Sequence, residues 1–162
     1  MTWNHADPDQ VVELAEAMMD VQWPVPKEDV PALAEQLGWR QVRADVPAYY
    51  TGLPISPDLG TSQAAEGELT RLTAHLVDRE PAQSEEFSQW LLEVSGSYVV
   101  ALKERFGPSR VNTFPSDHLA SMWDCESGAV LSLVTTPTTI QLKVESPRIV
   151  DARRVIAQNP DL

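Results

Sequence analysis

The chain has 162 residues, enough for one domain that buries roughly 70% of its unfolded surface without staples. A single cysteine, Cys125, excludes an internal disulfide and a cysteine-rich zinc site, and no apolar run approaches the ~20 residues of a membrane helix. The net charge of −12 argues against nucleic acid as a direct ligand, because an acidic surface repels phosphate.

That charge is unevenly spread. Residues 1–38 carry Asp7, Asp9, Glu13, Glu16, Asp20, Glu28, Asp29 and Glu35 against Lys27 alone, a net of −7. The opening residues Met1 to His5 lack the charged-then-apolar layout of a secretory signal, so a cytoplasmic location is expected.

The first helix begins at Asp7-Pro8-Asp9-Gln10, with Asp7 as N-cap, Pro8 at the first helical position and Gln10 in the reciprocal place of a capping box. Val11, Leu14, Ala15, Met18 and Met19 follow at helical spacing, and Glu13, Glu16 and Asp20 take the other side. Trp23-Pro24-Val25-Pro26 turns the chain into a second helix over 27–37. There Glu28 and Asp29 complement the helix dipole, and Val30, Leu33, Ala34 and Leu37 face inward. Gly38 supplies the left-handed residue after it, and Trp39 folds back on the last turn.

Strands are expected over 40–46 and 48–51, then a long loop through 54–67. Residues 68–78 fit two patterns. Leu72, Ala74 and Leu76 alternate as in a strand, while Leu69, Leu72 and Leu76 suit a helix; the threonines and Gly67 favour the strand. A long helix follows, capped by Ser84, with Phe87, Trp90, Leu91, Val94, Tyr98, Leu102 and Phe106 down one face and Gly107-Pro108 as its stop. Gly96 in its middle costs about 1 kcal/mol relative to alanine, and a close crossing over a sheet is the expected reason. Three strands, 119–125, 129–134 and 139–145, complete the chain with a short helix over 150–157. In the last strand Ile140, Leu142 and Val144 alternate with outward Gln141, Lys143 and Glu145, as in an antiparallel sheet with one wet face. The expectation is one α+β domain over 1–162: an antiparallel sheet packed against one long helix, with two N-terminal helices and a short C-terminal one.

Catalytic motifs are missing. His5, His75 and His118 show no metal-ligand spacing, and no glycine-rich phosphate loop occurs. Ser95-Gly96-Ser97 lies inside a helix and is no nucleophile elbow. A Cys125–His118 dyad would need both groups on one side, yet their odd separation along a strand sets them on opposite faces. Arg148, Arg153 and Arg154 can pair with acidic neighbours, and Trp3, Trp23, Tyr49 and Tyr50, in or beside irregular segments, are candidate exposed anchors for a partner.

Leu37-Gly38-Trp39, Trp123 and the 130–144 hairpin, in this overall layout, resemble an uncharacterised actinobacterial family of small cytosolic proteins associated with toxin and type VII secretion genes. The resemblance implies no catalytic residue and no cofactor or metal. It implies an immunity protein that binds and blocks a cognate toxin. On that expectation Glu13, Glu16, Asp20, Glu28, Asp29 and Glu35 form an acidic surface for a basic protein partner, the molecule being a monomer or homodimer with no membrane or nucleic-acid partner. The helix–strand order also resembles secretion-chaperone-like folds, which would imply an adaptor holding a partner segment. A small hydrolase using Cys125 or His118 is the third reading, and it requires a depressed thiol pKa in a concave pocket.

Overall fold

The computed structural model describes residues 3–82, 84–113 and 118–159. In chain order these hold α1 (Pro8–Met19), a 3-10 turn (Lys27–Asp29) and α2 (Val30–Gln36), then β1 (Arg40–Gln41), β2 (Ala48–Tyr50), β3 (Gly60–Ala65) and β4 (Glu68–His75). The long helix α3 (Glu85–Phe106) leads into β5 (Arg110–Thr113), β6 (Leu119–Asp124), β7 (Val130–Thr135), β8 (Ile140–Glu145) and α4 (Pro147–Gln158). The fold is α+β, with one eight-stranded antiparallel sheet in the order β1-β2-β3-β4-β8-β7-β6-β5. Each half is a meander of four consecutive strands, and the halves join where β4 runs beside β8.

The helix ends follow from their sequences. The Asp7 N–H donates to Gln10 Oε1 at 2.9 Å, one arm of the capping box, and Pro8 opens α1. After α2, Gly38 takes φ +80°; its N–H donates to Glu35 O at 3.0 Å, and the Trp39 N–H donates to Ala34 O at 2.9 Å. Those two bonds are a Schellman ending. Ser84 accepts the Phe87 N–H at 3.1 Å and caps α3.

One face of the sheet carries the core. Ile140, Leu142 and Val144 of β8 are fully buried beneath α1 and α3, which lie against each other and against the sheet. The long helix therefore shares this face with α1. Phe87, Leu91, Val94, Tyr98 and Leu102 are its buried side chains. The Tyr98 hydroxyl donates to Ala6 O at 2.7 Å, pinning the N-terminal segment where His5 bridges Val77 beyond the end of β4. Among the expected exposed anchors, Trp3 packs on Phe87 and Trp90, Tyr49 is buried against Trp39, and Tyr50 is exposed.

Four expectations are corrected. The strand over 40–46 shrinks to two residues, because Asp45 adopts a left-handed φ of 66° in a turn before Pro47. The loop over 54–67 contains β3, which forms because Glu66 and Gly67, at φ 54° and 81°, make the tight turn that returns the chain as β4. Gly96 makes no close crossing: a Cβ there would meet nothing within 4 Å. Glu145, expected to face water, is buried, because α4 starts directly after β8 and brings Arg153 over it.

Two glycines on this scaffold should respond oppositely to alanine. A Cβ at Gly60 would stand 2.8 Å from Thr51 Cγ2 and 3.0 Å from the Trp39 ring, so Gly60→Ala is expected to cost about 1–3 kcal/mol through overpacking. Gly96→Ala, in open space on a helix, should gain about 0.5–1 kcal/mol. Urea unfolding reads both; a midpoint that does not fall for Gly60→Ala would mean that the Trp39 contact is not tight.

Candidate functional site

The six early carboxylates divide among different surroundings. Asp20, at the end of α1, and Asp29, just before α2, line one groove of about 550 Å³ whose apolar lining includes Val21, Val25, Leu33 and Leu37. Glu13 lines a smaller neighbouring groove of about 220 Å³ that shares Ala17 and Leu37 with the first. Glu16 lies one turn along α1 from Glu13, but Arg105 of α3 holds it, Nε to Oε1 at 2.5 Å. Glu28 lines a third groove, of about 950 Å³, between the 3-10 turn and the β1–β2 loop. Glu35 is exposed on α2 and lines none of the three. Asp20, Asp29 and Glu13 therefore line grooves along the seam between α1 and α2, whereas Glu16 is paired with Arg105, Glu28 lines a separate groove and Glu35 lines none of the three.

A different titratable cluster sits on the face of the sheet opposite the apolar core, beside α4. Arg71 of β4 is the direct cross-strand partner of Glu145 on β8. Arg71 donates from Nε and Nη2 to Glu145 Oε2, at 3.2 and 2.7 Å. Arg153 of α4 donates from Nη1 to Oε1 at 3.0 Å and from Nη2 to Oε2 at 2.8 Å. Glu145 is 2% exposed. Burial alone would push its carboxyl up; the hydrogen bonds from Arg153 and Arg71, aided by the Lys143 charge, outweigh burial and hold it at about 2. Lys143 beside it is lowered, chiefly by burial. Arg153 and its acidic neighbour are recognisable from their spacing in the sequence, but the depth of the site is not, because it depends on β4, β8 and α4 meeting.

Cys125 is buried, and desolvation pushes its thiol up to about 11, the opposite of what a nucleophilic thiolate needs. His118 precedes β6 and Cys125 follows it, so they stand at opposite ends of that strand. His75 is lowered by burial and by Arg79, and its ring lies 3.4 Å from both Thr139 Oγ1 and Gln141 Nε2. Among the described residues no group of three His, Cys, Asp or Glu side chains is placed to hold a metal ion, and no helix is long and apolar enough to cross a membrane.

Over residues 9–146 the chain matches DUF6301, described as a family of unknown function, and it belongs to that family. The match runs from the first turn of α1 to the N-cap of α4. No curated protein and no solved structure matches the chain.

The Glu145 cluster carries a pH signature. A carboxyl at about 2 when folded, against 4.5 ordinarily, adds stability that is complete above pH 4.5 and is lost as the pH falls toward 2. The size is about 3 kcal/mol at neutral pH. Glu145→Gln should therefore lie about that far below the parent at pH 7, and the gap should close as both are acidified. Chemical denaturation across pH 7 to 2.5 measures it; a gap independent of pH would mean that the ion cluster contributes nothing through its charge.

Proposed function

We propose that this chain is a non-enzymatic binding protein that acts by receiving a basic surface of a protein partner along the α1–α2 seam, and that its role is of the immunity type, occupying and blocking that partner. The supporting observation is the groove lined by Asp20 and Asp29. Two carboxylates beside Val21, Val25, Leu33 and Leu37 suit a lysine or arginine, whose apolar stem needs cover while its charged head needs an anion. Glu13 in the adjoining groove extends the negative potential along the seam. The −7 net charge of residues 1–38 adds long-range attraction, which raises association rates for a basic partner. Glu16 contributes less, because Arg105 already neutralises it.

The test uses the partner recovered by crosslinking in the source cells with tagged protein. Glu13→Lys, Asp20→Lys and Asp29→Lys together should lower its association rate about tenfold or more at low salt and flatten the dependence of that rate on ionic strength. An unchanged rate and salt slope would reject the seam. Co-expression tests the inhibitory role separately: the wild-type chain should suppress the partner's toxicity and the triple variant should not.

A further inference from the structure

Among the described residues no strand lies beside β3 beyond Ser62 on the β2 side, and one residue is the cause. β2 pairs with β3 at Tyr49–Gly60 and Ala48–Thr61. One step further the Ser62 N–H donates to Pro47 O at 3.2 Å, but proline has no N–H to return to the Ser62 carbonyl. The ladder stops there. The β3–β4 register shifts between Gln63 and Ala64, but the extra residue, Thr70, belongs to β4. Main-chain groups still alternate sides along β3, so Ala64 turns its N–H and C=O to the same side as the Ser62 N–H. The far end of β3 agrees, since Ala65 pairs with Glu68 across the tight turn and so faces β4. The Ser62 C=O and the N–H and C=O of Ala64 thus form a short open edge, and Ala64 is exposed.

That edge borders the groove of about 950 Å³. Glu28, Val30 and Pro31 line it from the helical side, and Asp45, Val46 and Pro47 from the β1–β2 loop. The two carboxylates come from different walls and are set against Lys27 alone. Exposed strand edges template the addition of another strand.

We propose that this groove takes an extended segment of a partner protein, which adds to β3 at residues 62–64 as a further strand and places a basic side chain toward Glu28 and Asp45. Main-chain donors and acceptors at strand spacing match a peptide backbone better than a compact solute. The chain's own N-terminal segment is already paired elsewhere, with His5 bridging Val77. A second copy pairing β3 to β3 offers no cation, because Gly60 to Ala65 contains no basic residue. The site shares no lining residue with the Asp20–Asp29 groove, so it does not depend on the acidic-seam reading.

The experiment selects a random peptide library displayed on phage against the full chain. Selected peptides should share a lysine or arginine within an extended, proline-free stretch. They should slow hydrogen exchange at the Ala64 amide about tenfold or more and bind Ala64→Pro about tenfold more weakly, the loss expected for one main-chain bond. Should Ala64→Pro fold poorly, Glu28→Lys with Asp45→Lys serves instead and should weaken binding similarly. Glu13→Lys with Asp20→Lys and Asp29→Lys should leave the peptides bound, which separates this site from the seam. Failure to select any peptide, or peptides that leave the Ala64 amide unprotected, would overturn the proposal. So would protection of that amide that rises with protein concentration alone, since the occupant would then be a second copy.

Discussion

The two halves of the sheet are joined through the ladder between β4 and β8, and most of the architecture is arranged around that seam. On the inner face Leu72, Val144 and Leu131 stand in one row and Ala74, Leu142 and Leu133 in the next. All are fully or almost fully buried in the core cluster that also holds side chains of α1 and α3. On the outer face the same ladder sets Arg71 opposite Glu145. Apolar rows supply most of the free energy, whereas a buried ion cluster is often no better than a well-packed apolar replacement. Besides the pH-dependent stability of its charged carboxylate, the cluster fixes register. A one-residue slip of β8 would turn Glu145 into the leucine rows and Val144 out to the guanidinium groups, so the correct alignment is the one in which the carboxylate is met.

With α1 and α3 stacked over this seam, cover for the β1–β3 end falls to α2, which is seven residues long. Trp39 closes much of that end by lying against Tyr49 and over Gly60, where a side chain would collide with it. The rest stays open. Two grooves flank this short helix, and its neighbouring acids separate between them, Asp29 to one and Glu28 to the other. The candidate interaction surfaces therefore lie where the helical layer runs out. They result from an element too short to finish the job, and from a proline that ends one ladder early.

Local signals predicted local structure well. The capping box of α1, the Schellman ending of α2, the span of α3 and the alternation in β8 all depend on residues within one or two turns of each other, and all are present. β3 was not legible, because Gly-Thr-Ser-Gln-Ala-Ala has no apolar alternation; turn geometry and the neighbouring strand impose its conformation. The placement of the early carboxylates was half legible for a related reason. Charge counting located the carboxylates in the first quarter of the chain, but counting carries no direction. The 3.6-residue period puts Glu13, Glu16 and Asp20 on one stripe, and only the tertiary fold hands Glu16 to an arginine 89 residues away.

The same limit explains Glu145, and it shows how α4 is held. Alternation placed this residue correctly on the outer face, and an outer residue of an antiparallel sheet normally meets water. Here the strand ends at Glu145, Ser146 caps the next helix by accepting the Ile149 N–H at 3.2 Å, and Arg153 lies two turns along. That spacing returns a guanidinium to the carboxylate that precedes the cap. Of the described side chains of α4, Val150 is the buried one, while Val155 and Ile156 are exposed. Apolar packing alone is therefore a weak anchor for this helix. Its attachment is polar: Arg71 bonds to Oε2 of Glu145, and Arg153 alone of the two reaches Oε1. The helix is fixed because the sheet has buried a charge whose second oxygen depends on it.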